Sequence, residues 1–71
     1  MHAQRTTRRF FRLADVKHQT GLGRSAIYAA IKAGKFPAPY QLAEDGRAVG
    51  WLSTEIDAYI ESRIQATRGA K

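Results

Sequence analysis

TGLGRSAIYAAIKAG, residues 20–34, is the stretch on which the reading of this chain turns. Ile27, Ala30 and Ile31 stand at i, i+3 and i+4, so on a helix they share one apolar face. Arg24, Ser25, Tyr28 and Lys32 fall elsewhere on the wheel, on a polar and basic face. Gly34 stands where a helix ends in a left-handed residue, a conformation that glycine adopts without steric cost. Gly23 is the expected N-cap and Leu22 the apolar plug before it. A short helix with one apolar side and one basic side, entered through a glycine turn, has the form of a recognition helix.

Working outward, the upstream segment LADVKHQTG gives a two-turn helix over 14–20. Asp15 lies in its first turn, where a carboxylate suits the helix dipole, and Val16 is its core residue. Phe11 and Leu13 alternate around Arg12 in a short extended piece before it. Downstream, KFPAPY breaks the helical run. Pro37 and Pro39 cannot continue a helix, and they hold Phe36 and Ala38 extended. Residues 40–42 and 48–52 are expected to form two short strands, with Asp45-Gly46 as the turn signal between them. Trp51 is the largest apolar side chain and the expected anchor of the hairpin in the core. Ser53 is an N-cap candidate for a third helix reaching about residue 66. Ile56, Tyr59, Ile60 and Ile64 form its core stripe.

Composition narrows the function. The 71 residues make one small domain: a basic arm over 1–9, a folded part over 10–66 and a frayed basic tail over 67–71. There are no cysteines, so disulfides and thiolate metal sites are excluded, as fits a reducing cytoplasm. His18 and the remote His2 have no ligand-spaced companions, so neither a metal site nor a cofactor is expected. No run approaches a membrane span, and the basic N-terminus lacks the apolar segment of a signal peptide. Catalysis is not expected, because no nucleophile–base or paired-carboxylate constellation is present.

The net charge is +6 and is unevenly spread. Residues 1–35 carry eight positive and one negative side chain, whereas residues 36–71 carry four and five. Positive charge coincides with the candidate recognition helix, which points to a polyanion and first to double-stranded DNA. RNA is compatible with the charge, but no sheet is expected to carry the paired aromatics that stack bases in single-strand binders.

The order extended piece, helix, turn, helix, hairpin, helix is that of a winged helix-turn-helix, an α+β and mostly α fold. In that arrangement Arg24 and Ser25 reach base edges or phosphates at the start of the recognition helix, and Tyr28 follows one turn on. Lys32 takes a flanking phosphate, and Arg47 at the hairpin tip is the wing contact. Arg8, Arg9 and Lys35 are further candidates for phosphate contact.

The residues LADVKHQTGLGRSAIYAAIKAGKFPAPYQL, followed by RAVGWLSTEIDAYIESR, resemble the AlpA-type prophage regulators of the MerR-like winged-helix and excisionase group. The most specific parts are TGLGRSAIY, GKFPAP and RAVGW. The resemblance implies a cytoplasmic DNA-binding regulator of a phage or integrated element. Its recognition roles fall on Arg24, Ser25 and Tyr28, with Lys32 in support and Arg47 at the wing. RNA polymerase or an integrase are the protein partners it implies. Gly23, Ala26 and Ala29 are smaller here than the residues common at those places. Two other readings compete: an architectural accessory factor for site-specific excision, and a protein-binding adaptor or antitoxin-like module. Helix three could pair with its twin, or monomers could occupy repeated sites.

Overall fold

The computed structural model describes residues 8–69, so the arm's residues 1–7 and residues 70–71 lie outside it. The elements run β1 (Phe10–Phe11), α1 (Leu13–Thr20), α2 (Arg24–Lys32), β2 (Tyr40–Gln41), β3 (Val49–Leu52) and α3 (Ser53–Arg68). The strands form an antiparallel sheet in the order β1-β3-β2. This is a winged helix-turn-helix in which the extended piece before α1 adds a third strand to the hairpin. Among the described residues no helix is long and apolar enough to cross a membrane.

The core is a single cluster: Phe11, Val16, Ile27, Phe36, Trp51 and Ile56, each from a different part of the chain. Trp51 is fully buried, and its indole Nε1 donates to the Pro37 carbonyl at 2.9 Å. The proline segment thus supplies the one partner that a buried indole requires. The Phe36 ring meets Tyr59 edge-on at 4.6 Å between centroids, which ties the exit from α2 to α3.

The turn between α1 and α2 is fixed by three bonds. Gly21, at φ 76°, donates its N–H to Lys17 O at 2.8 Å. The Thr20 hydroxyl donates to Val16 O at 2.8 Å and accepts from Leu22 N–H at 3.2 Å. Leu22 then packs against the core as the expected plug. At the far end of α2, Gly34 (φ 77°) donates to Ile31 O and Lys35 to Ala30 O, the paired bonds of a Schellman motif. The hairpin reverses through Gly46 (φ 73°), whose N–H meets Ala43 O, while Asp45 Oδ1 accepts from Arg47 N–H.

Four expectations change. Leu13 is the first residue of α1 rather than the end of an extended piece, because Asp15 Oδ2 accepts from Arg12 N–H and starts the helix there. Ser53 does not cap α3. Leu52 is the N-cap without a side-chain bond, and the Ser53 hydroxyl instead accepts from Arg9 N–H at 3.1 Å. The Ser53 N–H donates back to Arg9 O, so the residue extends the β1–β3 ladder. Helix α3 runs on through Thr67 and Arg68, since nothing in its sequence breaks it before Gly69. Ile64 is 44% exposed rather than core, because the contacts of α3 with the core end at Tyr59 and Ile60, one turn before it.

The sheet also carries a pair of aromatics after all. Phe10 on β1 and Tyr40 on β2 lie on its outer face with ring centroids 6.0 Å apart. Reading only two strands concealed the pair, because Phe10 belongs to the third.

Candidate nucleic-acid interface

Helix α2 presents the candidate reading face. Ile27 is fully buried, and Ala30 and Ile31 pack against the core. That fixes the rotation of the helix and leaves Arg24, Ser25, Tyr28 and Lys32 exposed on a common arc of roughly 100°. Ala26 and Ala29 are exposed beside them. Their small side chains leave the helix surface low between the longer polar ones.

Two of the four are organised further. The Arg24 guanidinium lies over the Tyr28 ring, 5.8 Å from its centroid, a distance at which the ring's quadrupole attracts the cation. Tyr28 in turn meets Trp51 edge-on, with centroids 6.4 Å apart and planes at 63°. A cation, a 40%-exposed ring and a buried indole therefore form one stack that leads from the surface into the core. Arg24 thus lies on Tyr28, and the inner edge of Tyr28 meets Trp51. Spacing identifies Arg24 and Tyr28 as i, i+4 neighbours. The third member comes from β3 and has no local signal.

The N-terminus of α2 is open. Gly23 is its N-cap at φ −81° and ψ 169°, without a side-chain bond, and no acidic residue stands in the first turn. The positive end of the helix dipole and its free amide groups are therefore uncompensated from within the helix. Lys32 ends the basic face, and Lys35 is exposed just past the Schellman motif. Arg47 is exposed at the hairpin tip. Arg9 and Arg8 belong to the β1 edge, where the Arg9 guanidinium sits 4.6 Å from the centre of the Phe11 ring. Among the described residues no cluster of three or more His, Cys, Asp or Glu could hold a metal ion.

This arrangement lies within a known family. Residues 9–64 match the family described as the prophage CP4-57 regulatory protein, AlpA. The chain belongs to the AlpA family. The match takes in every element from β1 to most of α3, together with all of the reading face. The chain is also 42% identical over 59 residues to the "Uncharacterized protein ORF88" of Enterobacteria phage P4. That alignment covers 83% of this chain and 65% of the phage protein, so the chain spans about two thirds of the length of its relative. No solved structure matches the chain significantly.

Proposed function

We propose that this AlpA-family chain is a sequence-specific double-stranded DNA-binding transcriptional regulator of a phage or integrated element, acting in the cytoplasm by binding rather than catalysis. The observation that carries the reading is the Arg24–Tyr28–Trp51 stack on a helix whose opposite side is locked into the core. A guanidinium held over a ring has lost part of its freedom before it meets a ligand, which lowers the cost of ordering it on binding. In this reading α2 enters the major groove by its N-terminal end. Arg24 and Ser25 meet base edges there, and the open amide groups meet a phosphate. The Tyr28 hydroxyl and Lys32 take backbone contacts along the same face, with Lys35 beyond them. Arg47 supplies the wing contact on the flanking backbone.

Selection of bound sequences from a random duplex library, followed by titration across salt concentrations, tests this. A defined site should emerge, and log K should fall linearly with log salt. Arg24→Ala and Tyr28→Ala should each weaken the selected site by about 1–3 kcal/mol while the thermal transition is retained. A library that returns no enriched sequence, or two variants that bind like the parent, refutes the assignment.

A further inference from the structure

The sheet has a second face that the reading helix does not use. Strand pairing sets Phe10 opposite Leu52 and Tyr40 opposite Gly50, so these four residues point to the side away from Trp51 and α2. A side chain at Gly50 would stand 3.1 Å from Leu42 Cδ1 and 3.3 Å from Phe10 Cβ. Leu42 therefore belongs to the same group, and glycine is what lets Phe10, Tyr40 and Leu42 close over the strand. Phe10 remains 46% exposed and Tyr40 42%, which makes them two of the most exposed large apolar side chains among the described residues. Tyr40 is held from both sides, by the Phe10 ring and by its hydroxyl donating to Glu55 Oε2 at 2.8 Å. The Tyr40 phenol is raised above its usual pKa, chiefly by that bond. A rigid, ordered and exposed apolar patch of this kind marks a contact surface.

Its border is basic. Arg9 lies on the inner side with Phe11, over whose ring it stacks. Alternation along the extended run then places Arg8 and Arg12, both exposed, on the Phe10 side, with Arg12 extended at φ −84° and ψ 171°. The resulting stripe is arginine, phenylalanine, arginine at a period of two, with the two cations roughly 13 Å apart at the backbone. Two acids stand at the same border, Glu55 accepting from the Tyr40 hydroxyl and Asp15 from the Arg12 N–H, so the Arg8 and Arg12 side chains are the groups left to meet a ligand's carboxylates.

We propose that the outer sheet face of Phe10, Tyr40, Leu42 and Leu52, bordered by Arg8 and Arg12, docks an acidic peptide segment of a partner protein that carries a bulky apolar anchor. The apolar side chain seats on the Phe10–Tyr40 pair, and carboxylates on either side of it meet the two arginines. Aromatics and arginine are the residues that dominate such contacts, and the charge match supplies partner choice. A duplex keeps its bases stacked inside and offers nothing to the rings. The surface lies on the far side of the sheet from α2, so a peptide seated on it leaves Arg24, Ser25, Tyr28 and Lys32 free.

The test uses the whole chain and a fluorescein-labelled peptide in which Asp and Glu alternate with Leu and Phe, read by anisotropy. A second peptide has Lys in place of every acid. The acidic peptide should bind at least about tenfold more tightly than the lysine one and weaken with salt. Phe10→Ser and Arg12→Glu should each reduce that binding about tenfold or more, while Arg12→Lys retains most of it. Thermal melting establishes that each variant is folded, and Arg12→Glu, at an exposed site, stands in if Phe10→Ser does not fold. Equal binding of the two peptides overturns the proposal. So does acidic-peptide binding that survives Arg12→Glu but is lost in Arg24→Glu, which would place the peptide on α2. An unstructured single-stranded oligonucleotide that displaces the peptide and itself depends on Phe10 would make the face a nucleic-acid site and overturn it as well. None of these outcomes depends on whether the chain binds duplex DNA, so this proposal and the regulatory reading can fail separately.

Discussion

Replacing Gly23 by aspartate should make the protein more stable and a weaker DNA binder. Gly23 is the N-cap of α2, its backbone is extended, and a Cβ added there meets nothing within 4 Å. An aspartate can therefore enter without strain and accept from the N–H of Ser25 or Ala26. Relative to glycine, the cap bond is worth a few tenths of a kcal/mol. Restricting the unfolded chain adds ~0.4–1 kcal/mol, and a carboxylate at the positive end of the helix adds ~0.3–1 kcal/mol. The sum is about 1–2 kcal/mol, which raises Tm by roughly 4–16 °C in a domain of this size. The same carboxylate sits where the proposed binding mode brings a phosphate. Two unit charges about 6 Å apart at an effective dielectric of about 40 repel by ~1.4 kcal/mol, or roughly tenfold in affinity. The deficit should shrink as salt rises. Gly23→Ser separates the two effects, since it caps the helix without adding charge and should stabilise without loss of binding. Melting curves and duplex titrations at two salt concentrations read both. An aspartate variant that melts higher yet binds the selected site like the parent refutes the placement of the α2 N-terminus at the backbone. One that melts lower refutes the cap geometry.

Other substitutions probe the scaffold. Trp51→Phe keeps the aromatic bulk but leaves the Pro37 carbonyl without its donor, and it should cost about 1–3 kcal/mol in urea unfolding; a change under half a kcal/mol would make that bond incidental. Gly34→Ala and Gly50→Ala should both destabilise, for different reasons. The first has open space but a positive φ and should cost ~1–2 kcal/mol. The second has an ordinary φ but sets a methyl 3.0 Å from Phe11 O, so its cost depends on how far β1 can shift. Loss of amide protection that spreads from the Phe11–Trp51 pair beyond β1 and β3, seen by hydrogen exchange, would show that the sheet cannot absorb it locally.

Much of the fold was legible because its punctuation is local. Gly21, Gly34 and Gly46 all take positive φ, and each stands at a boundary that the neighbouring residues already suggested. The period of Ile27, Ala30 and Ile31 fixed the rotation of α2, and with it the exposed set Arg24, Ser25, Tyr28 and Lys32. What was not legible depends on partners distant in sequence. Ser53 has the chemistry of a cap, but Arg9, forty-four residues away, occupies its hydroxyl. Phe10 carries no strand signal of its own, because pairing with Leu52 has no signature in two residues. Ile64 continued a sound apolar period, and periodicity does not tell where the body that a helix packs on comes to an end.

The dipeptide Gly50-Trp51 shows how one short strand serves two surfaces. Successive side chains of β3 point to opposite sides, so the two residues face apart by necessity. Trp51 fills the inner side and braces the edge of Tyr28, which underlies Arg24. Gly50 leaves the outer side empty, and Phe10, Tyr40 and Leu42 occupy the space. A shift of β3 by one residue would move the indole out and the glycine in, unseating the reading helix and dispersing the outer patch together. The register is held from both flanks, by Ser53 on Arg9 and by Leu42 on Ala48. The reading face and the outer face are therefore coupled through a common register rather than through contact. A substitution that loosens the ladder should impair both, whereas Arg24→Ala and Arg12→Glu should each impair one.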